Sequence, residues 1–240
     1  MSGSGWRWGA LLAQPRLLLM DEPLSALDRF AKEAILPYLE RLRDGLDLPI
    51  LYVSHDISEV ERLADRLVLM RRGGVVASGP LTQLQAQADL PLSRLPDAGV
   101  ALPAEVLGHD PVYDITRLRV AGATLLAPGR FGASGVSRRI RITASDVSLA
   151  RDPGGESSIL NRVPARIVAA SANGPAMMTV VVAFGAEGEG ARVLSRITRR
   201  SWDALGLAPG QPIVAQIKGV ALVAGAEPDA PSEGSAEGTA

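Results

Sequence analysis

The sequence predicts an α/β stretch followed by an all-β stretch, and three observations carry that reading. Two short apolar runs, Leu17 to Met20 and Ile50 to Val53, end in polar punctuation at Asp21-Glu22-Pro23 and Ser54-His55-Asp56. Such runs, uninterrupted rather than alternating, are what strands buried in a parallel sheet look like. Between them Phe30, Ala34, Ile35, Leu39 and Leu42 fall near helical spacing, with Arg29, Lys32, Glu33, Glu40 and Arg41 on the other side. From about Asp89 onward no helix period survives, and short β-like runs alternate with Pro and Gly.

The bulk properties exclude several classes. The 240 residues are 47% hydrophobic, enough for one large domain or two small ones. No run approaches the ~18 apolar residues of a membrane span. Twenty-five basic residues against 26 acidic ones give no electrostatic case for nucleic acid. With no cysteine and two histidines, disulfides, thiolate metal sites and His-rich metal sites are excluded, and a cytosolic chain is expected.

In chain order, Ala10 to Ala13 reads as the end of a helix closed by Pro15, and Pro23 stops the strand that delivers Asp21 and Glu22. Carboxylates at the carboxyl end of a parallel strand sit where open α/β sheets gather ligands; one can hold Mg²⁺ and the next can orient a water. Pro37 is expected to kink the helix after Asp28. Ile57 to Ala64 is an amphipathic helix whose first turn carries Asp56 and Glu59, acids favoured there by the helix dipole. Arg66 to Met70 and Gly74 to Gly79 form a hairpin turning at Gly73-Gly74, followed by a helix over Leu81 to Ala88. Residues 89–153 read as a β-rich link with strands at Val112 to Val120, Ala123 to Leu126 and Arg139 to Leu149, and His109 as an ordinary loop histidine. Ser157 to Ile167, Met178 to Phe184, Ala191 to Ile197 and Pro212 to Ile217 supply further strands, with a short helix at Trp202 to Leu207 stopped by Gly206. Five or so strands and one helix fit a small OB-like barrel over 154–226, and 227–240 a disordered tail.

Asp21-Glu22, with Ser25-Ala26-Leu27-Asp28 behind it and His55 at the end of the next apolar run, resembles the Walker B motif, D-loop and switch histidine of ABC transporter ATP-binding subunits. The resemblance implies that residues 10–88 are the carboxyl-terminal part of a partial ABC-type nucleotide-binding domain. It implies that Asp21 holds Mg²⁺ through water, Glu22 is the general base, His55 senses the γ-phosphate of ATP, and Ser25 and Asp28 serve the nucleotide across a dimer interface. The phosphate-cradling Gly-x-x-x-x-Gly-Lys-Ser/Thr does not occur, nor do the family's glutamine loop and signature. Met1 to Gly9 is neither a signal peptide nor a convincing helix start. Codons encoding it from a GTG start can be chosen so that, read two letters later, they give Glu-Arg-Gln-Arg-Val-Ala-Met-Gly, close to the family signature. The expectation is an amino-terminal truncation with an out-of-frame leader.

Three stretches resemble the molybdate-binding Mop class of TOBE modules: Ser158 to Asn161, Ile197 to Ser201, and Gln216 to Leu222. The segment Arg139 to Leu149 resembles the strand that precedes this module in molybdate importers. The resemblance implies an oxyanion site built from Ser158, Ser201 and Lys218 across a subunit interface. Hydroxyls and an ammonium, free of competing carboxylates, suit a tetrahedral dianion such as molybdate or tungstate. Leu160 stands where stronger binders carry arginine, and Gly219 where they often carry serine. Taken together, the family expectation is an ATP-binding subunit of a molybdate ABC importer, inactive as this chain because the phosphate loop, glutamine loop and signature are missing. It would pair with a second copy and a membrane permease, receive substrate from a periplasmic binding protein, and lie at the cytoplasmic face of a bacterial inner membrane. Two rivals stay open: a non-catalytic oxyanion-binding or dimerising module, and one half of a split ATPase subunit.

Overall fold

The structure, a computed structural model, describes residues 15–45, 48–152 and 154–223. The expectations for the leader, the helix end at Ala10 to Ala13 and the tail lie outside the described residues. The chain forms two compact units, Met1–Ala64 and Asp65–Ala240.

In the first unit, β1 (Leu18–Asp21) and β2 (Ile50–Val53) pair in parallel, in the register Leu18 to Ile50 through Asp21 to Val53. The crossover between them is α1 (Arg29–Gly45), and β2 leads into α2 (Ile57–Leu63). Asp28 caps α1 by accepting from the Ala31 N–H at 2.8 Å. Met20 and Tyr52 face inward onto a small core of Leu24, Leu36 and Leu39, with Leu27, Ile35 and Leu63 at its margin.

The other face of the strand pair is open: Leu19 is 63% exposed and its cross-strand neighbour Leu51 is 51% exposed, although runs of this kind are usually buried on both faces of a parallel sheet. Among the described residues of this unit, nothing packs on that face. The helix reading also shifts. Phe30 and Ala34 face solvent, while Leu36 and Leu39 are buried. The face of α1 assigned to solvent instead pairs with α2, because Lys32 meets Glu59, and both Glu33 and Glu40 meet Arg62.

The second unit begins with the hairpin β3 (Arg66–Arg71) and β4 (Gly74–Pro80) and the short helix α3 (Leu81–Gln85). A five-stranded antiparallel sheet follows, made of β5 (Gly99–Asp110), β6 (Ile115–Val120), β7 (Ala123–Pro128), β8 (Ser137–Thr143) and, from far along the chain, β14 (Ala221–Leu222), in the order β14-β8-β5-β6-β7. The second sheet contains β9 (Val147–Ala150), β10 (Asn161–Asn173), β11 (Met177–Phe184), β12 (Arg192–Thr198) and β13 (Pro212–Ile217), in the order β12-β11-β10-β13-β9. Helix α4 (Arg199–Ala204) ends near Gly206, which takes φ +54°. The second sheet curls into a half-barrel, its two edges tied where buried Ser195 of β12 donates to the Val147 carbonyl of β9 at 2.6 Å.

Both sheets feed one continuous hydrophobic core, including Val100, Leu118 and Ile140 from one and Ile167, Val182 and Leu194 from the other. Strand exchange crosses the boundary expected at 153. β9 lies before it and pairs with β13, while β14 lies after it and pairs with β8. The boundary expected after Ala88 also falls inside this unit, since Ala86 and Ala88 are buried in its core and the Gln85 side chain accepts from the Ala101 N–H. The stretch read as a link is thus a full sheet, with the twelve-residue β5 as its longest strand. Pro103, the residue that disguised β5, is tolerated where it faces Arg139 of β8. Residues 112–114, read as the start of a strand, lie in the turn before β6, and residues 144–146 interrupt the run read as Arg139 to Leu149 with a 3₁₀ turn.

Two outcomes follow. Leu19→Thr with Leu51→Thr reduces self-association in size-exclusion chromatography and leaves the melting midpoint nearly unchanged, because the pair touches no core. Leu118→Ala costs about 2–5 kcal/mol in denaturant unfolding, because Leu118 is fully buried between well-packed neighbours.

Candidate functional site

The parallel register of β1 and β2 ends both strands at the same level, so the residues just past them are neighbours. The Glu22 N–H donates to the Val53 carbonyl at 2.9 Å, carrying the parallel pairing one residue beyond β1. Glu22 then takes φ 46°, a left-handed conformation that non-glycine residues adopt at a cost. Ser25 holds it there, its N–H and Oγ both donating to the Glu22 carbonyl. The turn aims the carboxylate sideways, and His55 Nδ1 meets Glu22 Oε1 at 2.6 Å. The carboxylate raises the imidazole above its ordinary 6.5, by its hydrogen bond first and its charge second. The histidine side chain is 78% exposed, so a ligand can reach the pair.

Asp21 is exposed beside Glu22 at the end of β1. Among the described residues no cluster of three or more His, Cys, Asp or Glu side chains could hold a metal by protein ligands alone. One strand-end carboxylate is nevertheless a fit donor for Mg²⁺, a hard cation that keeps several waters and takes one or two carboxylates. Asp28 lies one turn on, with Oδ1 engaged as the cap of α1.

Behind His55 stands a residue whose importance sequence reasoning missed. Glu59, read as a dipole-favoured acid of the first helical turn, is 2% exposed. Its Oε2 accepts from the Tyr52 hydroxyl and from Ser54 Oγ, both at 2.8 Å, and its Oε1 meets Lys32 Nζ at 2.7 Å. Lys32 Nζ also reaches Asp56 Oδ2 at 2.8 Å. Asp56 caps α2 by accepting from the Ser58 N–H, and its own N–H donates to Ser54 Oγ. Hydrogen bonds to Asp56 and Glu59 raise the Lys32 ammonium above its usual value. Burial and the Glu59 carboxylate raise the Tyr52 phenol. Partial burial pushes the Asp56 carboxyl up, but the hydrogen bonds from Lys32 and Ser58 outweigh it and lower it from 3.8 to about 2. The usable signal was position: Glu59 shares a helical face with the inward residues of α2, where an acid needs a partner.

In the second unit, Ser158 is exposed just before β10, and Lys218 is exposed just after β13. Because Asn161 of β10 pairs with Ile217 of β13, these two lie at the same end of the sheet. Ser201 lies at the other end. It sits on α4, with its Oγ 2.7 Å from Thr198 Oγ1, and α4 begins against the turn after β10, where the Arg199 N–H donates to the Ala176 carbonyl. One copy therefore brings Ser158 and Lys218 together and leaves Ser201 apart. The Lys218 N–H donates to the Asp146 carbonyl, and a Cβ at Gly219 would stand 3.0 Å from Asp146 Oδ2. The glycine that departs from the expected pattern thus leaves room for a carboxylate next to the lysine. Asn161 has a structural task, its amide donating to the Leu126 carbonyl and accepting from the Leu126 N–H, which closes the edge of β7. His109, in β5 rather than a loop, lies 3.2 Å from Thr116 Oγ1 and 3.5 Å from Asp114 Oδ1.

Comparison with known proteins places this geometry. Residues 157–224 match the TOBE domain family. A molybdenum import ATP-binding protein of Rhodopseudomonas palustris (strain ATCC BAA-98 / CGA009) is 58% identical over 216 residues, 90% of this chain and 58% of that protein. The protein of the same name from Rhodobacter capsulatus is 50% identical over 218 residues, 91% of this chain and 60% of that one. The chain is a homologue of the molybdenum import ATP-binding proteins. It spans about three-fifths of the length of these relatives. Among solved structures, the molybdate-binding protein ModG covers 52% of this chain and 95% of its own at 21% identity, with a TM-score of 0.46.

The Lys32–Asp56 geometry has a pH consequence. The folded state holds Asp56 below its ordinary value, so the stability it contributes is present above about pH 4 and is lost as pH falls through about 2. Asp56→Asn, which keeps a capping side chain, flattens that acid limb of the first unit in pH-dependent hydrogen exchange. Separately, Glu22→Gln brings the His55 titration, followed by its imidazole C–H resonances, back toward the ordinary value.

Proposed function

We propose that this chain is part of the ATP-binding subunit of a molybdate ABC importer and carries the hydrolytic half of its nucleotide site. The observation that carries the reading is the 2.6 Å contact between Glu22 and His55 at the carboxyl ends of two parallel strands. A carboxylate there can accept a proton from an attacking water, and the imidazole beside it fixes the carboxylate's direction. Asp21, one residue back, would hold Mg²⁺ through water; the ion when bound would neutralise phosphate charge. Ser25 maintains the left-handed turn of Glu22, and Asp28 fixes the start of α1 next to the site. The sequence contains no Gly-x-x-x-x-Gly-Lys-Ser/Thr, so on this reading the phosphate-cradling half of the site is supplied by residues outside these 240.

The importer reading implies a second ATP-binding subunit, a membrane permease and, beyond it, a periplasmic binding protein, with this chain peripheral at the cytoplasmic face of the inner membrane. No helix among the described residues is long and apolar enough to cross a membrane. For the TOBE-type half-barrel, the separation of Ser158 and Lys218 from Ser201 favours an oxyanion site completed by a second copy, with molybdate or tungstate as ligand. The alternative, that the β unit works alone as an oxyanion-binding or dimerising module, is favoured by its own continuous core.

Calorimetry separates these readings. The purified 240-residue chain is expected to show no micromolar binding of Mg-ATP, and tight binding would refute the need for outside residues. Molybdate is expected to give heat where sulfate gives none, with Lys218→Ala abolishing it; no heat for molybdate at millimolar concentration removes the oxyanion role.

A further inference from the structure

We propose that Glu59 is the positioning residue of the Glu22–His55 pair, acting through Ser54 and Asp56 on either side of the histidine. The inference rests on the reading of Glu22 and His55 as the hydrolytic pair and adds the element that sets their geometry.

His55 itself is mostly exposed, and among the described residues its ring makes one polar contact, with Glu22. An exposed imidazole can sample several rotamers about its two side-chain torsions, and one hydrogen bond to a partly exposed acid does little to hold it. What is fixed is the backbone that carries it. Ser54 Oγ donates to Glu59 and accepts from the Asp56 N–H, so the residues flanking His55 are tied to each other through one hydroxyl. Asp56 is tied a second time, through Lys32, to the same Glu59 carboxylate. Tyr52, one residue before Val53 at the end of β2, fills the remaining position on Glu59 Oε2. Both carboxylate oxygens are therefore used by groups from β2, α1 and the turn between β2 and α2.

A buried carboxylate with one ammonium and two hydroxyl donors is satisfied, and such a network rigidifies what it touches. A carboxylate serving only to stabilise α2 would not need Ser54 and Lys32 to converge on it from outside the helix. The arrangement converts a flexible strand end into a defined turn, and the turn gives His55 the one direction from which Nδ1 reaches Glu22 at 2.6 Å. Positioning of a reacting pair by a supporting layer of hydrogen bonds is a general requirement of precise sites.

The test uses the full 240-residue chain and nuclear Overhauser contacts between the His55 ring and the Glu22 side chain at one fixed pH. The other histidine, His109, lies in the second unit and serves as an internal reference. Wild type is expected to show the His55–Glu22 contact; its absence in wild type overturns the hydrolytic pair itself. Glu59→Gln, which keeps an acceptor for Tyr52 and Ser54, is expected to retain the contact. Glu59→Ala is expected to lose it with the His109 signals unmoved. Because Glu59→Ala leaves buried donors unpaired and can unfold the unit, Ser54→Ala is the second variant: it removes both flanking bonds, leaves the rest of the network, and is also expected to lose the contact. If Ser54→Ala and a folded Glu59→Ala both keep the contact, Glu59 is only structural and the proposal fails.

Discussion

The amino-terminal unit depends on the parallel register of two four-residue strands. Pairing Asp21 with Val53 puts Glu22 and Ser54 at the first positions beyond the ladder, so the chemistry-bearing residues leave the sheet at the same level. An antiparallel pairing would have sent the two strand ends to opposite sides. The helical crossover that a parallel pair requires also supplies Lys32, so the same topological need produces the strand ends and the cation that braces one of them. Among the described residues of this unit, Glu22 is the one held at positive φ, and a serine fixes it there.

Charge does in this unit what apolar packing does in the other. The core around Leu24, Leu36 and Leu39 is small, and the contact between α1 and α2 is made largely by Lys32, Glu59, Arg62, Glu33 and Glu40. Buried ionic contacts contribute less net stability than packed side chains, because desolvation offsets most of the attraction, but they tolerate few alternative arrangements. The β unit has the opposite character. Its two sheets share one core and exchange edge strands, and the glycines at 122 and 190 let two turns touch: a Cβ on Gly190 would lie 2.5 Å from the Ala121 carbonyl oxygen. A side chain at either place would pry the sheets apart.

How much of this was legible in the sequence depended on whether the signal was local. Apolar runs and their polar terminators gave β1, β2 and the candidate pair Glu22 and His55, because strand ends are written in adjacent residues. The outward and inward faces of α1 were misjudged at Phe30 and Leu36, because periodicity places a stripe but does not say which neighbour exists to cover it. Glu59 was invisible for a related reason: a glutamate in a first turn looks solvated until the tyrosine, serine and lysine that surround it are brought together by tertiary structure. β5 was missed because Pro103 and Gly99 break its pattern, and only its partners in β8 show that the proline sits where no donor is required. The strand exchange between the two sheets has no sequence signature at all, since pairing of β14 with β8 joins residues some eighty positions apart.

The half-barrel shows the same limit from the side of function. The three stretches resembling an oxyanion module fall at strand ends, yet the thirteen residues of β10 separate Ser201 from Ser158 and Lys218 by ~40 Å of extended chain. No side chain spans that distance, so a single copy presents two partial sets of donors rather than one complete set. The Asp146 carboxylate lies against Gly219, the residue after Lys218, so an anion arriving there meets a competing carboxylate. The oxyanion site proposed above would need the Ser201 end of a second half-barrel at the Lys218 end of the first. Hydroxyl donors from α4 would then face the lysine across the interface and outnumber the single competing carboxylate. Under the proposed oxyanion role, the dianion and the dimer would require each other.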